Sequence, residues 1–215
     1  MSLRDYHESL WEGIPPGLEP SYASLRAAFL VGYLAAERGR LGRRVRVLDI
    51  GCGEGYFADV LARAGAEVVG CDVAEEPLRR ARAVHPGLDL RLVEPDGPLP
   101  FEGAGFDIVW VGETIEHVHD TASWLSEVRR VLRSGGLILL STPDHGLLWR
   151  LRLALSERTF AAHFDPSSDH LRFYVPVTLA ELLGDFGFAE VDVTRRGGIP
   201  GARRVLLTSG RRKRF

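Results

Sequence analysis

Residues 47–73 read "VLDIGCGEGYFADVLARAGAEVVGCDV" and carry glycine at every second position from Gly51 to Gly55. An apolar run precedes the glycines, and an Ala- and Leu-rich run with helical spacing follows them. A second apolar run then ends at Asp72. This order of strand, glycine turn, helix and strand is typical of an open α/β sheet, in which the ligand lies beyond the carboxyl ends of the strands. The stretch therefore predicts the fold class and the ligand-binding turn together.

Strand and helix patterns alternate along the chain around this stretch. The apolar runs are continuous, which is typical of parallel strands covered by helices on both faces. Two late runs, 189–194 and 204–209, lie close together and predict an antiparallel hairpin. We predict an α/β fold with a doubly wound, Rossmann-like sheet, mostly parallel, with an antiparallel C-terminal edge hairpin. The other predicted strands span 45–50, 66–72, 88–93, 106–111 and 136–141, and the predicted helices span 22–38, 55–64, 75–84, 121–133, 146–156 and 178–186.

The length and composition are those of one domain. A chain of 215 residues with 45% hydrophobic content can bury one core and has little left for a second. We predict a single domain over 1–215, in which 1–40 form an N-terminal arm and a helix and 144–175 form an insertion on the substrate side. The arm and the insertion are the segments available for a lid. We expect the basic end, 211–214, to be a frayed and solvated tail.

The charge and the cysteine content narrow the class of protein. A formal net charge of -2 gives no general attraction to nucleic acid or to an anionic membrane. Cys52 and Cys71 are too few for a disulfide framework and lack the paired spacing of a zinc site. The N-terminus lacks the apolar core of a signal peptide, and the segment 25–36 is too short to span a bilayer. We expect a soluble, cytoplasmic protein with no membrane partner.

The glycine spacing argues against two phosphate-binding turns. A dinucleotide-binding turn would need its third glycine at the position of Tyr56, and a phosphate loop would need a lysine, whereas Lys213 is the only lysine in the sequence. Asp49 and Glu54 flank the glycines and would repel a pyrophosphate but suit a cationic ammonium or sulfonium. Asp72 ends the second strand, where a carboxylate can accept both hydroxyls of a ribose. The turn therefore favours an adenosine ligand with a positively charged tail.

Four blocks of the chain resemble the class I S-adenosylmethionine-dependent methyltransferases, in the order that this family has them. They are "VLDIGCGEGYF", "VVGCDV", "LPFEGAGFDIVWVGETIEHVHD" and "EVRRVLRSGGLILLSTP", within residues 47–143, and a looser similarity extends to 188. The resemblance implies methyl transfer with S-adenosyl-L-methionine as the cofactor. By this resemblance the cofactor contacts are Asp49, Gly51, Cys52, Gly53 and Gly55 for the methionine portion, Asp72 for the ribose diol, and Val73, Gly112 and Glu113 beside them.

The contact with the adenine ring stays open at this point. Members of the family usually place an Asp four or five residues before "LPF", where this chain has Pro95 and Glu94, with Asp96 one step later. Either Glu94 or Asp96 could accept a hydrogen bond from the adenine amino group.

The stretch "GETIEHVHD" follows the fourth predicted strand. If a helix begins at Glu113, then Glu113, Glu116 and His117 share one face and converge beside the transferable methyl group. His170, in "SDHLRFYV", is the natural fourth ligand. Such a block and a later His occur in two metal-dependent branches of the superfamily, the small-RNA 2′-O-methyltransferases and the ubiquinone-pathway O-methyltransferases. This resemblance implies a divalent metal (Mg, Mn or Zn) and O-methylation of a vicinal diol or catechol.

A site without a metal is the alternative. Many small-molecule methyltransferases of this family carry Glu-His after the fourth strand with no metal known, and Gly112 or Glu113 then packs on the cofactor. His117 is in that case the best general base, since its reference pKa near 6.5 suits work at neutral pH. His117 and Glu116 are the candidate catalytic residues under either hypothesis.

We therefore predict methyl transfer to a hydroxyl of a small-molecule acceptor by a monomer or homodimer, with metal assistance left open. A small RNA is kept as a less favoured acceptor, because the sequence has no strongly basic surface. The alternatives are an N- or C-methyltransferase without a metal and a non-catalytic S-adenosylmethionine-binding partner protein.

Overall fold

The structure, a computed structural model, describes residues 2–199 and 204–214. Its strands are β1 (Arg46–Ile50), β2 (Glu67–Asp72), β3 (Asp89–Leu92), β4 (Phe106–Gly112), β5 (Leu132–Pro143), β6 (Phe188–Arg196) and β7 (Val205–Arg212). They form one sheet in the order β3-β2-β1-β4-β5-β7-β6.

The helices flank this sheet on both faces. They are α1 (Leu3–Glu12), α2 (Ala23–Leu41), α3 (Tyr56–Arg63), α4 (Glu75–Val84), α5 (Thr121–Val131), α6 (Leu147–Leu155), α7 (Glu157–His163) and α8 (Pro176–Asp185), and a 3₁₀ turn covers Ile115–His117. Within residues 2–199 and 204–214, no helix combines the length and the apolar composition needed to cross a bilayer.

The strand order reverses direction at β1. Ile50, at the end of β1, lies opposite Cys71 of β2 on one side and Val111 of β4 on the other, and both pairings are parallel. A crevice opens beyond the carboxyl ends of the strands at such a reversal. Strand β7 pairs antiparallel with both β5 and β6. The predicted doubly wound sheet and its antiparallel edge hairpin are confirmed, and the middle of the hairpin loop, 200–203, lies outside the described residues.

The buried apolar side chains form one core on each face of the sheet. Successive residues of β4 point to opposite faces, so Val109 packs with the side of α5 and α8 while Trp110 packs with the side of α2 and α3. Both side chains are fully buried. This double burial explains why the strands read as continuous apolar runs. Burying each such side chain stabilises the folded protein by about 1.5–3 kcal/mol.

The N-terminal arm predicted for the first residues contains helix α1. The Ser2 hydroxyl accepts a hydrogen bond from the Asp5 backbone amide, and the Asp5 carboxylate accepts one from the Ser2 amide. This reciprocal pair is a capping box, and its signal in the sequence is "SLRD".

The insertion contains two helices where one was predicted over 146–156. Ser156 leaves the helical conformation, and its hydroxyl accepts from the amide of Thr159, which caps the start of α7. Serine is a preferred N-cap residue because it satisfies an amide that the first helical turn leaves unpaired. The helix predicted over 146–156 is confirmed as α6, and α7 is a second helix that the sequence analysis missed.

The expectation that the basic end, 211–214, is a frayed tail is wrong. Strand β7 continues to Arg212, and Arg211 lies opposite Leu137 of β5. The Arg212 guanidinium donates to the carbonyls of Arg129 and Leu132, where helix α5 ends. Backbone pairing and these carbonyl contacts together order the segment, since an arginine near a helix C-terminus satisfies its last carbonyls.

Candidate active site

A cavity of about 270 Å³ lies at the carboxyl ends of β1, β2 and β4, where the strand order reverses. Helix α1 covers it with Leu3, His7, Leu10 and Trp11. A largely apolar cavity with a few convergent polar groups at this place in the fold is the expected ligand site. The predicted cofactor residues that line it are Gly51, Asp72, Val73, Glu94, Asp96 and Glu113, whereas Asp49, Cys52, Gly53, Gly55 and Gly112 lie outside its lining.

The three glycines of the turn have a left-handed backbone, with φ of 71° at Gly51, 52° at Gly53 and 80° at Gly55. Glycine adopts this conformation at no steric cost. A Cβ at Gly51 would also collide with the Thr114 hydroxyl, and a Cβ at Gly53 would lie 2.9 Å from the indole of Trp11. For Gly53 the missing side chain thus makes room for α1, while Gly51 is the glycine of the turn that borders the cavity.

Cys52 belongs to the core instead of the cavity. Its side chain is 8% exposed and packs with Leu78, Ala81 and Leu90 under the turn. Burial raises the pKa of its thiol well above the ordinary value. A buried thiol of this kind acts as a small apolar side chain.

Asp72 is held by backbone amides. One carboxylate oxygen accepts from the amide of Gly53 at 2.9 Å, and the other accepts from the amide of Ala74 at 3.1 Å. Burial raises the pKa of Asp72, and the amides of Ala74 and Gly53 oppose that shift. Because each carboxylate oxygen has a second lone pair, the group can still accept from ligand hydroxyls in the cavity.

Asp49 lies behind the turn, 1% exposed, and acts through its charge. Burial raises its pKa to about 7, while the guanidinium of Arg26 opposes the shift. Arg26 of α2 is itself buried, 4.5 Å from the ring centroid of Phe57. Burial lowers the pKa of Arg26, and the carboxylates of Glu113 and Asp49 raise it. A Cβ at Gly112 would lie 2.6 Å from the Arg26 guanidinium, so the missing side chain at Gly112 makes room for this cation.

Both candidates for the adenine contact line the cavity. The Glu94 carboxylate forms an ion pair with Arg4 of α1 at 2.9 Å, although its side chain is 78% exposed. Asp96 has a φ of 53° and lies 3.7 Å from the His119 imidazole. Glu94 therefore links the cavity wall to α1, and both acids stay candidates for the adenine amino group.

The helix predicted to start at Glu113 is absent from that position. Glu113 has a φ of 52°, and its amide donates to the Ser141 carbonyl at 2.9 Å, which extends the pairing of β4 with β5 by one residue. The 3₁₀ turn begins only at Ile115. Potential ligand atoms of Glu116, His117 and His170 lie within 4.8 Å of one another, and Glu113 is outside this group. The predicted placement of Glu113 beside the other ligands on one helical face is therefore wrong.

Glu116 is a buried carboxylate with one oxygen unsatisfied. Its Oε2 accepts from the Thr142 hydroxyl at 3.0 Å, while its Oε1 has no hydrogen-bond partner within the described part of the chain. Burial and the nearby Glu113 carboxylate raise the pKa of Glu116 to about 8. Its backbone carbonyl accepts from the amides of Leu171 and Arg172, which ties the end of the insertion to the site. The free oxygen is open to a hydrogen-bond donor or to a cation.

His117 is oriented by a residue that the sequence analysis missed. Its Nδ1 lies 3.0 Å from the Asp169 carbonyl and 3.3 Å from the Asp169 carboxylate, so Nδ1 carries the proton and Nε2 is left as an acceptor. Burial lowers the pKa of His117, and the charge of Asp169 opposes the shift. The rings of His117 and His170 are 4.8 Å apart. The only local signal for Asp169 is its place next to His170.

Residues 22–193 match the family model described as "Methyltransferase domain". The chain belongs to this family of methyltransferases. The predicted resemblance to the class I S-adenosylmethionine-dependent methyltransferases is thereby confirmed, and S-adenosylmethionine is the cofactor that the family supports.

Several relatives of this methyltransferase are 32–37% identical to it over the aligned residues. A Mycolicibacterium smegmatis protein named as a probable S-adenosylmethionine-dependent methyltransferase is 37% identical over 71% of this chain and 61% of its own length. The ubiquinone biosynthesis O-methyltransferase of Ruegeria sp. is 35% identical over 69% of this chain and 62% of its own length. The ubiquinone biosynthesis O-methyltransferase of Dinoroseobacter shibae is 32% identical over 78% of this chain and 72% of its own length. The methyltransferase thus spans just over six tenths of the length of the first two.

Crystal structures of other methyltransferases share the fold. One from Mesorhizobium loti has a TM-score of 0.61 at 23% identity, covering 78% of this chain and 91% of its own. Another, from Archaeoglobus fulgidus, has a TM-score of 0.63 at 17% identity, covering 86% of this chain and 94% of its own. At these identities the likeness concerns the fold alone.

Proposed function

We propose that this methyltransferase transfers the methyl group of S-adenosylmethionine to a hydroxyl of a small-molecule acceptor, with a divalent metal held beside the acceptor. The observation that carries the proposal is the group formed by Glu116, His117 and His170, of which His117 lines the cofactor cavity. The names of two relatives, both ubiquinone biosynthesis O-methyltransferases, support oxygen as the acceptor atom.

The cavity has the polarity that the cofactor needs. Asp72 would accept from the ribose hydroxyls, and the carboxylates of Asp72 and Glu113 in the cavity lining suit a cationic sulfonium and ammonium. Methyl transfer requires the acceptor oxygen in line with the S–C bond at about 3–3.5 Å. The cavity lining includes His117, which supports a position for the acceptor on that side of the cofactor.

The residues present fit a divalent metal. One carboxylate and two imidazoles are a donor set of the kind that binds Zn²⁺ or Mn²⁺, and the unsatisfied Oε1 of Glu116 is a ligand atom without another partner in residues 2–199 and 204–214. Glu116, His117 and His170 would hold the ion. Bound there, it would lower the pKa of an acceptor hydroxyl.

The protein itself orients the donors. Asp169 fixes the tautomer of His117 so that Nε2 faces away from it, and Thr142 fixes one oxygen of Glu116. During transfer the S–C bond breaks, its electron pair stays on sulfur, and the acceptor oxygen forms the new C–O bond as its proton leaves. If the site works without a metal, the same tautomer makes His117 Nε2 the acceptor of that proton.

The acceptor would enter through a groove next to the cavity. The groove has a volume of about 430 Å³ and opens between α1 and the segment 166–171. It shares Leu3, His7, His117, His119 and Asp169 with the cavity, so it leads to the same place. Its size suits a small hydroxylated molecule.

Metal titration of the chelated protein tests the proposal. Mn²⁺ or Zn²⁺ should raise the Tm of the native protein, because a ligand selective for the folded state stabilises it. Glu116→Gln should remove this shift, and Glu113→Gln is the matched control that should keep it. A shift that Glu113→Gln removes and Glu116→Gln keeps would contradict the assignment of ligands.

Calorimetry with S-adenosylhomocysteine separates the broader alternatives. Binding without any metal-induced shift would favour the site in which His117 acts as a base. No binding at hundreds of micromolar would contradict the proposed activity itself.

A further inference from the structure

Two histidines form a pair outside the proposed metal group. His145 lies two residues after β5 and is 8% exposed, and His163 ends α7. Their Nε2 atoms are 3.1 Å apart, and Nδ1 of His145 lies 3.3 Å from the Tyr174 carbonyl. Because a carbonyl only accepts, His145 carries its proton on Nδ1 and presents Nε2 as an acceptor. His163 is therefore the donor of the N–H···N bond that joins the two rings.

Both imidazoles of the pair are uncharged at neutral pH. Burial lowers the pKa of His145, and the charge of His163 lowers it further. Burial also lowers the pKa of His163, with the charge of His170 as the second cause. An uncharged pair holds one proton between the two Nε2 atoms, which a single N–H···N bond requires. The bond is thus intact in the neutral protein.

The pair is the polar attachment of α7 to the sheet. Helix α7 buries none of its residues. Within residues 2–199 and 204–214, the other side-chain hydrogen bonds of α7 stay at its own cap, between Thr159 and Ser156. Ring contacts allow several arrangements, whereas a hydrogen bond weakens steeply when it is misaligned, so the bond of His163 fixes where α7 ends. The rings around His163, with centroids 4.9–5.3 Å away, are those of Trp149, Phe164 and Phe173.

A compact turn connects α7 to the acceptor end. The amide of Ser167 donates to the Asp165 carboxylate at 2.8 Å, and the amide of Ser168 donates to the Asp165 carbonyl at 2.9 Å. The Ser168 hydroxyl in turn accepts from the His170 amide at 3.2 Å. These local bonds leave the turn little freedom, so a shift at the end of α7 reaches Asp169 and His170.

Strand β5 is the common reference for both sides of the acceptor end. Thr142 of β5 donates to the Glu116 carboxylate. Three residues later, His145 accepts from His163. One strand thus sets the position of Glu116 on one side and, through α7, the position of the segment that carries Asp169 on the other.

We propose that His145 and His163 are positioning residues, which fasten α7 to β5 and thereby hold Asp169 and His170 at the acceptor end. Asp169 determines the tautomer of His117, so the pair acts on His117 from a distance. The proposal rests on the proposed function, because that function gives Asp169, His117 and His170 their roles.

Hydrogen exchange of the full chain, followed residue by residue by NMR, tests the proposal without a metal or methyl transfer. The amides of Leu171 and Arg172 donate to the Glu116 carbonyl. They should exchange about tenfold faster in His163→Phe, because this variant leaves Nε2 of His145 unsatisfied and releases the end of α7. Phenylalanine keeps a ring among its aromatic neighbours, so the variant removes the hydrogen bond alone.

The ring of His117 provides a second readout. Its Nδ1 should carry the proton in the native protein, whereas His163→Phe should show both tautomers in the ¹⁵N spectrum of the imidazole nitrogens. His163→Gln is the conservative variant, since the glutamine amide nitrogen is a donor at the same distance along the side chain as Nε2. It should return both readouts to their native values.

The control is a histidine elsewhere in the protein. His85→Phe removes the contact of His85 with Asp59 beside α4 and should leave both readouts unchanged. Binding of S-adenosylhomocysteine and slow exchange of the β1 amides confirm that each variant keeps its fold and its cofactor end.

Three outcomes would overturn the proposal. Native exchange at Leu171 and Arg172 in His163→Phe would mean that ring contacts alone hold α7. Equal acceleration in His163→Gln would mean that packing, and not the hydrogen bond, is what matters. A Zn²⁺-induced rise in the Tm of Glu116→Gln that Glu116→Gln/His163→Phe lacks would mean that the pair holds an ion in place of the proton. A native protein that no metal stabilises would instead contradict the proposed metal group and would leave these readouts unaffected.

Discussion

Asp72 and Glu116, two buried carboxylates at opposite ends of the active site, differ in how their oxygens are satisfied. At the cofactor end, both oxygens of Asp72 accept from backbone amides of the turns beside it. At the acceptor end, Thr142 donates to one oxygen of Glu116, and the other has no hydrogen-bond partner among residues 2–199 and 204–214. An unsatisfied buried acceptor costs about 1–3 kcal/mol. The Asp72 site at the cofactor end is thus built before its ligand arrives, whereas Glu116 at the acceptor end gains its last contact from a ligand. Asp49, behind the turn, also has one oxygen without a hydrogen-bond partner among the described residues, so the contrast concerns Asp72 and Glu116 alone.

The largest effect is expected at the built end. Asp72→Ala should lower the affinity for S-adenosylhomocysteine by at least about a hundredfold, because two hydrogen bonds from the ribose to a charged group are lost at about 1.5–3 kcal/mol each. Isothermal titration calorimetry measures it. Asp89→Ala, on the exposed strand β3, is the control and should bind normally. An affinity within threefold of the native value in Asp72→Ala would remove the ribose assignment.

Gly51→Ala should lower the free energy of unfolding by about 2–4 kcal/mol. The left-handed backbone at Gly51 contributes about 1 kcal/mol of this loss, and the collision of the new Cβ with the Thr114 hydroxyl contributes the rest. Denaturant unfolding measures it. Gly32→Ala is the control, since Gly32 is helical with open space at its Cβ, and it should stabilise the protein by about 0.5–1 kcal/mol.

A double-mutant cycle with Thr114→Ala separates the two causes. The threonine change should relieve part of the collision in Gly51→Ala while leaving the backbone strain. Equal costs with and without Thr114 would mean that the turn, and not the contact with Thr114, requires the glycine.

The acceptor end should respond to pH when no metal is bound. The pKa of Glu116 is raised in the folded state to about 8 from 4.5, so the folded protein holds a proton that the unfolded chain releases. The stability that this proton provides is fully present below pH 4.5 and is lost as the pH rises through about 8. We expect the Tm of the chelated protein to fall by several degrees between pH 6 and about 9, and Glu116→Gln to flatten this fall.

Asp49 also lowers the Tm as the pH rises, but in a lower pH range, since burial raises its pKa to about 7. The difference between native protein and Glu116→Gln isolates the acceptor end for that reason. A slope that is the same in both proteins would contradict the assignment of an unsatisfied, protonated Glu116.

The sheet was predictable because its signals are local. Every residue from Phe106 to Val111 is buried and all except Asp107 are apolar, so β4 reads as a nearly continuous apolar run. Asp72 was predictable in the same way, since a strand that ends in a carboxylate beside a glycine turn specifies its position. The capping box at Ser2 and the cap at Ser156 were equally local, and both were overlooked.

The acceptor end was harder to predict from the sequence, because its contacts join distant parts of the chain. Thr142 reaches Glu116 across 26 residues, and Asp169 reaches His117 across 52. Nothing in the spacing of either pair indicates the contact. The conformation of Glu113 is likewise set by pairing with β5, through the carbonyl of Ser141, and this tertiary bond replaces the local helix that the sequence favoured.

The smallest effect is expected where α1 meets the cofactor end. Arg4 donates to the carbonyls of Val73 and Val93 and pairs with Glu94, whose side chain is 78% exposed. An ion pair with so exposed a partner contributes at most about 1 kcal/mol. Arg4→Gln should therefore lower the affinity for S-adenosylhomocysteine about twofold to threefold, as measured by calorimetry. Arg79→Gln, which breaks an exposed pair with Glu76 on α4, is the control and should change nothing. A loss above tenfold in Arg4→Gln would mean that α1 assembles the cofactor end, and the contrast between a built end and an open end would then fail.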